Sequence, residues 1–256
     1  MSLGGGINPS LTCLANIFSS SFLSSLDPFV CICFSKDIPF FHGCQNVLSL
    51  DYINELVEAD AKADVPTEFC SGTRFVVGSW DTALLAAGTT LDAMRSILHG
   101  KTKLAYALVR PPGHHAQPTR ADGYCFLNNA GLAVELATSS YGVKRVAVVD
   151  FDVHYGNGTA EGFYRRDDVL TISLHMNHGS WGRSHPQTGR VDEVGIGQGL
   201  GFNMNVPLPN GTGDMGYEHA MRELVVPALA RFEPELIVMV IGQDSSAVCL
   251  VFPFLV

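Results

Sequence analysis

Asp150, Asp152 and His154 stand at alternate positions at the end of the run Val146-Ala147-Val148-Val149. Alternate side chains of an extended segment share a face, so the three converge as the strand leaves the core. Two carboxylates and an imidazole in that place are costly to desolvate unless they bind something. Oxygen and nitrogen donors of this kind suit zinc or another divalent first-row cation. Taken alone, the same spacing also fits two aspartates that cap a following helix, with a surface histidine behind them.

Two further segments favour the cation. Arg110-Pro111-Pro112-Gly113-His114-His115-Ala116 follows the apolar stretch 104–109, and the apolar stretch 236–241 runs into Gly242-Gln243-Asp244. Three apolar strand candidates thus deliver acidic or imidazole groups at their C-terminal ends. In open α/β sheets that edge is where ligands bind. Adjacent histidines in a loop are more often solvated than catalytic, so His114 and His115 draw their interest from these neighbours.

The elements that must position these groups alternate. Ile53, Leu56, Val57 and Ala61 mark one face of a helix with Ser49 or Asp51 as N-cap. Ser79 caps a second helix that carries Leu84, Leu91, Met94, Ile97 and Leu98 and stops at Gly100. Strands are expected at 104–109, 146–149, 169–174, 202–206 and 236–241, with helices at 130–137, 159–164 and 217–232 between them. Such alternation predicts a parallel sheet with helices on both faces. The glycines at 195, 197, 199 and 201 never satisfy G-x-G-x-x-G and precede a strand, so they form no nucleotide loop. Residues 1–48 lack lasting periodicity, 49–247 carry the α/β pattern, and 248–256 form an apolar tail.

Bulk properties bound the function. A chain of 256 residues, 46% hydrophobic and 16% charged, suits one globular α/β domain. A formal charge of −9 argues against direct nucleic-acid binding. Seven cysteines without paired C-x-x-C spacing indicate neither a disulfide framework nor a cysteine zinc site, and a reducing compartment fits best. No apolar stretch is long enough to span a bilayer, and no positive leader or Lys/Arg nuclear run is present, leaving cytoplasm and nucleus both open.

Five ordered motifs then agree with one family. Arg110 to Ala116, Gly123-Tyr124-Cys125-Phe126-Leu127-Asn128-Asn129, the segment 150–158, Ser173-Leu174-His175 and Gly242-Gln243-Asp244 resemble the zinc-dependent histone deacetylases. Relatives of that family include the acetylpolyamine amidohydrolases and, further off, the arginases. Asn157 and Gln243 lean toward its class II members.

The resemblance implies a three-layer, doubly wound α/β fold of the arginase/deacetylase type. It implies one Zn2+ held by Asp152, His154 and Asp244, with His114 as general base and His115 as the second imidazole that serves as acid. Asp150 would hold His114, and Asn157 would hold His115. Gly123 and Tyr124 would line a tunnel for an aliphatic stem, Cys125 would be a small buried neighbour, and ordinary core packing is the competing reading of Tyr124. Trp181 and His185 fall in a tunnel-wall loop where relatives often carry phenylalanine. A structural K+ would use Asp150, Asp152, His154, Ser173 and Leu174, and a second would use carbonyls near Phe163, Arg166 and Val169. His42, His99, His178 and His219 carry no assigned role.

The implied substrate is an N-acetyl amide, on a histone or other protein lysine or on a small amine such as a polyamine. A role in chromatin regulation would then follow. Relatives also carry a downstream Gly-Gly-Tyr segment whose tyrosine donates to the oxyanion. The twelve residues after Asp244 contain neither tyrosine nor histidine, and losing one such donor costs on the order of 10²–10³ in rate. The expectation is therefore a C-terminally shortened enzyme, with an open sheet edge that invites an oligomer or a co-complex partner. A non-catalytic metal-binding module is the alternative from another functional class.

Overall fold

A computed structural model describes residues 47–245 apart from 63, 71 and 178–188. The tail 248–256, nearly all of 1–48, and the positions of His42, Trp181, His178 and His185 lie outside the described residues. Helix α1, Leu50–Ala61, starts where Ser49 accepts a hydrogen bond from the Tyr52 amide at 3.2 Å. A short antiparallel hairpin follows, β1 Thr67–Cys70 and β2 Thr73–Phe75. Helix α2, Ser79–Leu98, begins one residue earlier than a serine cap would place it. Gly78, in the left-handed region at φ 84°, takes the cap position, and the Ser79 hydroxyl turns back to accept from the Val76 amide. Gly100 closes the helix with φ 68° and a bond from its amide to the Ile97 carbonyl.

The remaining elements alternate: α3 Asn129–Glu135, β3 Val146–Asp150, α4 Asn157–Phe163, β4 Val169–Met176, β5 Asn203–Leu208, α5 Asp214–Ala220, α6 Val226–Phe232 and β6 Leu236–Val240. A wider turn at Leu136–Ser140 extends α3, and another at Met221–Val225 joins α5 to α6. The four long strands form one parallel sheet in the order β5-β4-β3-β6.

Every residue of β3 and β4 is buried, as expected of central parallel strands covered on both faces. Ala147, Val149, Leu170, Ile172, Leu174 and Val206 share a core with Val225, Leu229 and Phe232 of the α5–α6 helix. Val146, Val148 and Val169 face the other way, onto Val134 of α3 and Phe163 of α4. Outside that layer, α1 and α2 pack through Leu56, Ala83, Ala87 and Leu91 against Phe126, Leu132 and Leu136. The layering is that of a doubly wound α/β fold. Among the described residues no helix is long and apolar enough to cross a membrane.

One expected strand does not form. Residues 104–109 take part in no strand, and Leu104 and Leu108 are exposed. An apolar run becomes a strand only when a neighbour accepts its backbone hydrogen bonds, and none of the described strands lies alongside it. β6 pairs with β3 on one side only, and Ile237 on it is exposed.

A part-buried ion cluster ties the end of α3 to the loop between α4 and β4. Arg166 donates to Glu135 at 2.6 Å and holds Asp168 through two nitrogens at 2.8 and 2.6 Å. Glu135 is buried; burial pushes its carboxyl up and Arg166 pulls it back down. Arg166→Ala strands that carboxylate, and an expected loss of about 3 kcal/mol should be read from urea unfolding.

Candidate metal centre

β3 ends at Asp150, and the chain then turns through Asp152 and His154 across the C-terminal edge of the sheet. Asp150 accepts from the Asp152 amide at 3.1 Å, and Asp152 accepts from the His154 amide at 2.8 Å. These short-range bonds fold the D-x-D-x-H segment back on itself. Asp244 arrives from the neighbouring strand β6, and its carboxylate accepts from the Val153 amide at 3.2 Å.

The result is compact. His154 Nδ1 lies 3.1 Å from Asp152 Oδ1 and 2.9 Å from Asp244 Oδ2. One ligand atom from each of Asp152, His154 and Asp244 falls within 4.8 Å of the other two. The separations and the O, N, O donor set fit a single tetrahedral divalent ion with one coordination position to spare. Burial opposes charge on His154, and the two carboxylates overcome it, raising its pKa to about 9.

Gly242 leaves the room for Asp152. A Cβ there would sit 1.9 Å from Asp152 Oδ2 and 2.6 Å from its Cβ. Gly242→Ala should displace the Asp152 carboxylate and weaken any divalent-ion binding by the three residues about tenfold or more, measured by competition with a chromophoric chelator.

The two histidines of the 110–116 loop are both buried beside these ligands. Thr159, in α4, donates its amide to the His114 carbonyl at 3.2 Å and so fixes the loop to the helix that follows β3. His114 Nδ1 donates to Asp150 Oδ2 at 2.8 Å, which turns Nε2 toward Asp152 Oδ2, 3.8 Å away. Burial disfavours its charge, but Asp150, Asp152 and Asp244 together raise its pKa to about 9. The His115 ring lies against that of His114 at 3.9 Å between centroids, tilted by 43°, with Nδ1 2.6 Å from Asn157 Oδ1. Burial and the neighbouring His114 charge lower its pKa well below the ordinary histidine value, and the Asn157 bond offsets this only in part. A carboxylate behind one ring and an amide behind the other thus give adjacent imidazoles opposite proton affinities. Asp150 is itself raised by burial and held back by its His114 partner.

Gly123 lies against His115 and Tyr124 follows it, both with positive φ, 49° and 64°. A Cβ at Gly123 would strike the His115 ring at 2.3 Å, so only glycine passes there. Tyr124 is exposed rather than packed in the core, and its amide donates to Thr73 Oγ1 at 3.0 Å. The β1–β2 hairpin therefore positions the ring, a support invisible to local spacing. Cys125 is fully buried, and burial pushes its thiol up out of the reactive range.

Ser173 lies in register with Asp150 across β3 and β4, and Ser173 and Leu174 are both buried. His99 pairs with the Tyr141 hydroxyl at 3.0 Å, and His219 is exposed on α5. Asp122, which no sequence motif marks, is a buried carboxylate that accepts from the Asn157 side-chain amide at 3.1 Å. Its link to the site spans 35 residues of chain, beyond any motif.

Residues 41–248 match the histone deacetylase domain. The chain is 68% identical over 197 residues to histone deacetylase 8 of Arabidopsis thaliana, covering 77% of this chain and 52% of that protein. It is 48% identical over 171 residues to a histone deacetylase-like amidohydrolase of Pseudomonas aeruginosa, covering 67% and 44%. The crystal structure of the HDA15 HD domain superposes with a TM-score of 0.76 at 34% identity, covering 96% of this chain and 70% of that one. The chain thus spans about half the length of these curated relatives.

Proposed function

We propose, from the premise that this chain belongs to the histone deacetylase family, that its site hydrolyses N-acetyl amides with a single bound zinc ion. The observation that carries the proposal is the convergence of Asp152, His154 and Asp244 from two strands beside two buried histidines with opposite proton affinities. A zinc ion held by those three residues supplies Lewis acidity toward the amide carbonyl and makes an attacking water more acidic.

The chain's own residues do the rest. His114 Nε2 faces the ligand cluster and takes the proton of the attacking water, while Asp150 steadies the resulting imidazolium. Two of the three carboxylates that make His114 so basic, Asp152 and Asp244, are the ones a divalent ion neutralises. With the ion bound, Asp150 would be the carboxylate left to favour the protonated ring. His115 is poised differently: burial and its cationic neighbour make any proton on it readily given up. That fits it to take up a proton on Nε2 and pass it on to the departing amine.

The exposed Tyr124 ring offers a flat apolar wall for the methylene stem of acetyl-lysine, and Gly123 keeps the approach to His115 open. His185 is proposed as a more polar wall of the same tunnel. Ser173, Leu174 and the backbone of Asp150, Asp152 and His154 are proposed to hold a structural K+ beneath the site. Acetyl-lysine on histones or other proteins is the proposed substrate class, and cytoplasm or nucleus the proposed location.

A second reading, hydrolysis of acetylated polyamines, rests on the likeness of the five sequence motifs to the acetylpolyamine amidohydrolases. Turnover of an acetyl-lysine peptide and of acetylspermidine by the zinc-loaded protein decides between them. A preference for the peptide supports the first reading, a preference for acetylspermidine supports the second, and inactivity on both removes the enzyme reading.

A further inference from the structure

We infer that Asp122 is a positioning residue for the proposed hydrolysis, acting through Asn157 to fix which nitrogen of His115 faces the reacting atoms. The inference rests on the functional reading above.

Asp122 is buried in the tight turn 122–125, whose ends exchange backbone hydrogen bonds with Cys125 at 3.1 and 2.7 Å. Its Oδ2 accepts from Asn157 Nδ2 at 3.1 Å and from Gln117 Nε2 at 3.2 Å. Its Oδ1 accepts from the Gly123 amide at 2.9 Å and faces the Cys70 thiol at 3.4 Å. Four groups from three stretches of chain, Cys70, the 117–123 loop and Asn157, thus converge on one carboxylate.

The consequence for His115 follows from what each group can do. An ionised carboxylate only accepts hydrogen bonds, whereas the two ends of an amide differ. Asp122 therefore compels Asn157 to present its nitrogen to the carboxylate and its oxygen to the other side. That oxygen lies 2.6 Å from His115 Nδ1. An amide oxygen accepts only, so Nδ1 carries the hydrogen and a neutral His115 keeps its lone pair on Nε2. Without Asp122, Asn157 is free to turn over and meet His115 with its NH2 group, which selects the opposite tautomer and places a hydrogen where the lone pair belongs.

Asp122 also couples this proton arrangement to the tunnel mouth. The Cys70 thiol that faces it also lies 3.0 Å from Thr73 Oγ1, the atom that receives the Tyr124 amide. One buried turn thus holds both the second imidazole and the aromatic wall.

The test combines kinetics with the 15N spectrum of protein labelled at histidine, His115 being assigned by its loss in His115→Gln. In the parent protein the His115 signals should report hydrogen on Nδ1. Asp122→Ala should admit the Nε2-H form and lower kcat about tenfold, with zinc content and KM unchanged. Asp122→Asn, which keeps one acceptor, should recover part of both. In an Asn157→Ala background, Asp122→Asn should cause no further loss. Should Asp122→Ala not fold, Asp122→Asn carries the same two readouts. A folded Asp122 variant with the parent tautomer and the parent kcat overturns the inference, as does a loss of zinc equal to the loss of kcat. The tautomer readout needs no turnover, so an inactive parent protein would remove the functional reading and leave this arm to stand or fall alone.

Discussion

Asp244→Ala should yield a folded protein that neither retains zinc through dialysis nor hydrolyses acetyl-lysine. Asp244 is the one ligand that the D-x-D-x-H segment does not supply, since it arrives on β6 and closes the cluster against His154 at 2.9 Å. Without it one carboxylate and one imidazole remain, too few for a tetrahedral site that must keep an open position. Losing even a supporting partner of a ligand costs about 10–100-fold in affinity, and losing the ligand itself should exceed that. The fold should survive, because Asp244 is only half buried and, among the described residues, the other bond given up is that from the Val153 amide. Such a bond contributes about 1 kcal/mol, and Asp244→Asn, which keeps that acceptor while removing the charge, separates the two effects. Elemental analysis and a fluorogenic acetyl-lysine assay on both variants make the measurement.

His114→Ala should give the complementary result, with zinc retained and hydrolysis reduced by about 10²–10⁴. The ring touches the site from outside the ligand set: Nδ1 is committed to Asp150, and Nε2 stands 3.8 Å from a ligand oxygen. Its removal leaves the three donors in place and takes away the group that accepts a proton beside them. His115→Ala should cost less, since its partner is a neutral amide. Equal losses of rate and zinc in His114→Ala would instead make the histidine a structural support.

The parts of this molecule that were legible from sequence share a physical cause. β3 and β4 are central parallel strands, buried along their whole length, and β6, the edge strand beside β3 among the described strands, keeps an unbroken apolar run although it is only partly buried. Their C-terminal ends were therefore locatable, and with them Asp150, Asp152, His154 and Asp244. The cap at Ser49 and the stop at Gly100 depend on local backbone chemistry, and both stood where that chemistry placed them.

What escaped depends on distant partners. Residues 104–109 have the composition of a strand, but pairing is a property of the neighbour as much as of the segment. The hairpin Thr67–Phe75 is too short and too charged to announce itself, yet Thr73 positions Tyr124 from 51 residues away. Asp122 sits in a turn whose sequence promises only a solvated aspartate. Its burial and its grip on Asn157 emerge only when α4 closes over the 110–116 loop.

The most direct test of the account is the metal content of the purified protein, measured together with its fold after zinc loading and exhaustive dialysis. One zinc ion per chain, lost in Asp152→Ala, His154→Ala and Asp244→Ala alike, is the result the geometry predicts. A well-folded parent chain that retains no zinc, or retains it equally in all three variants, would contradict it.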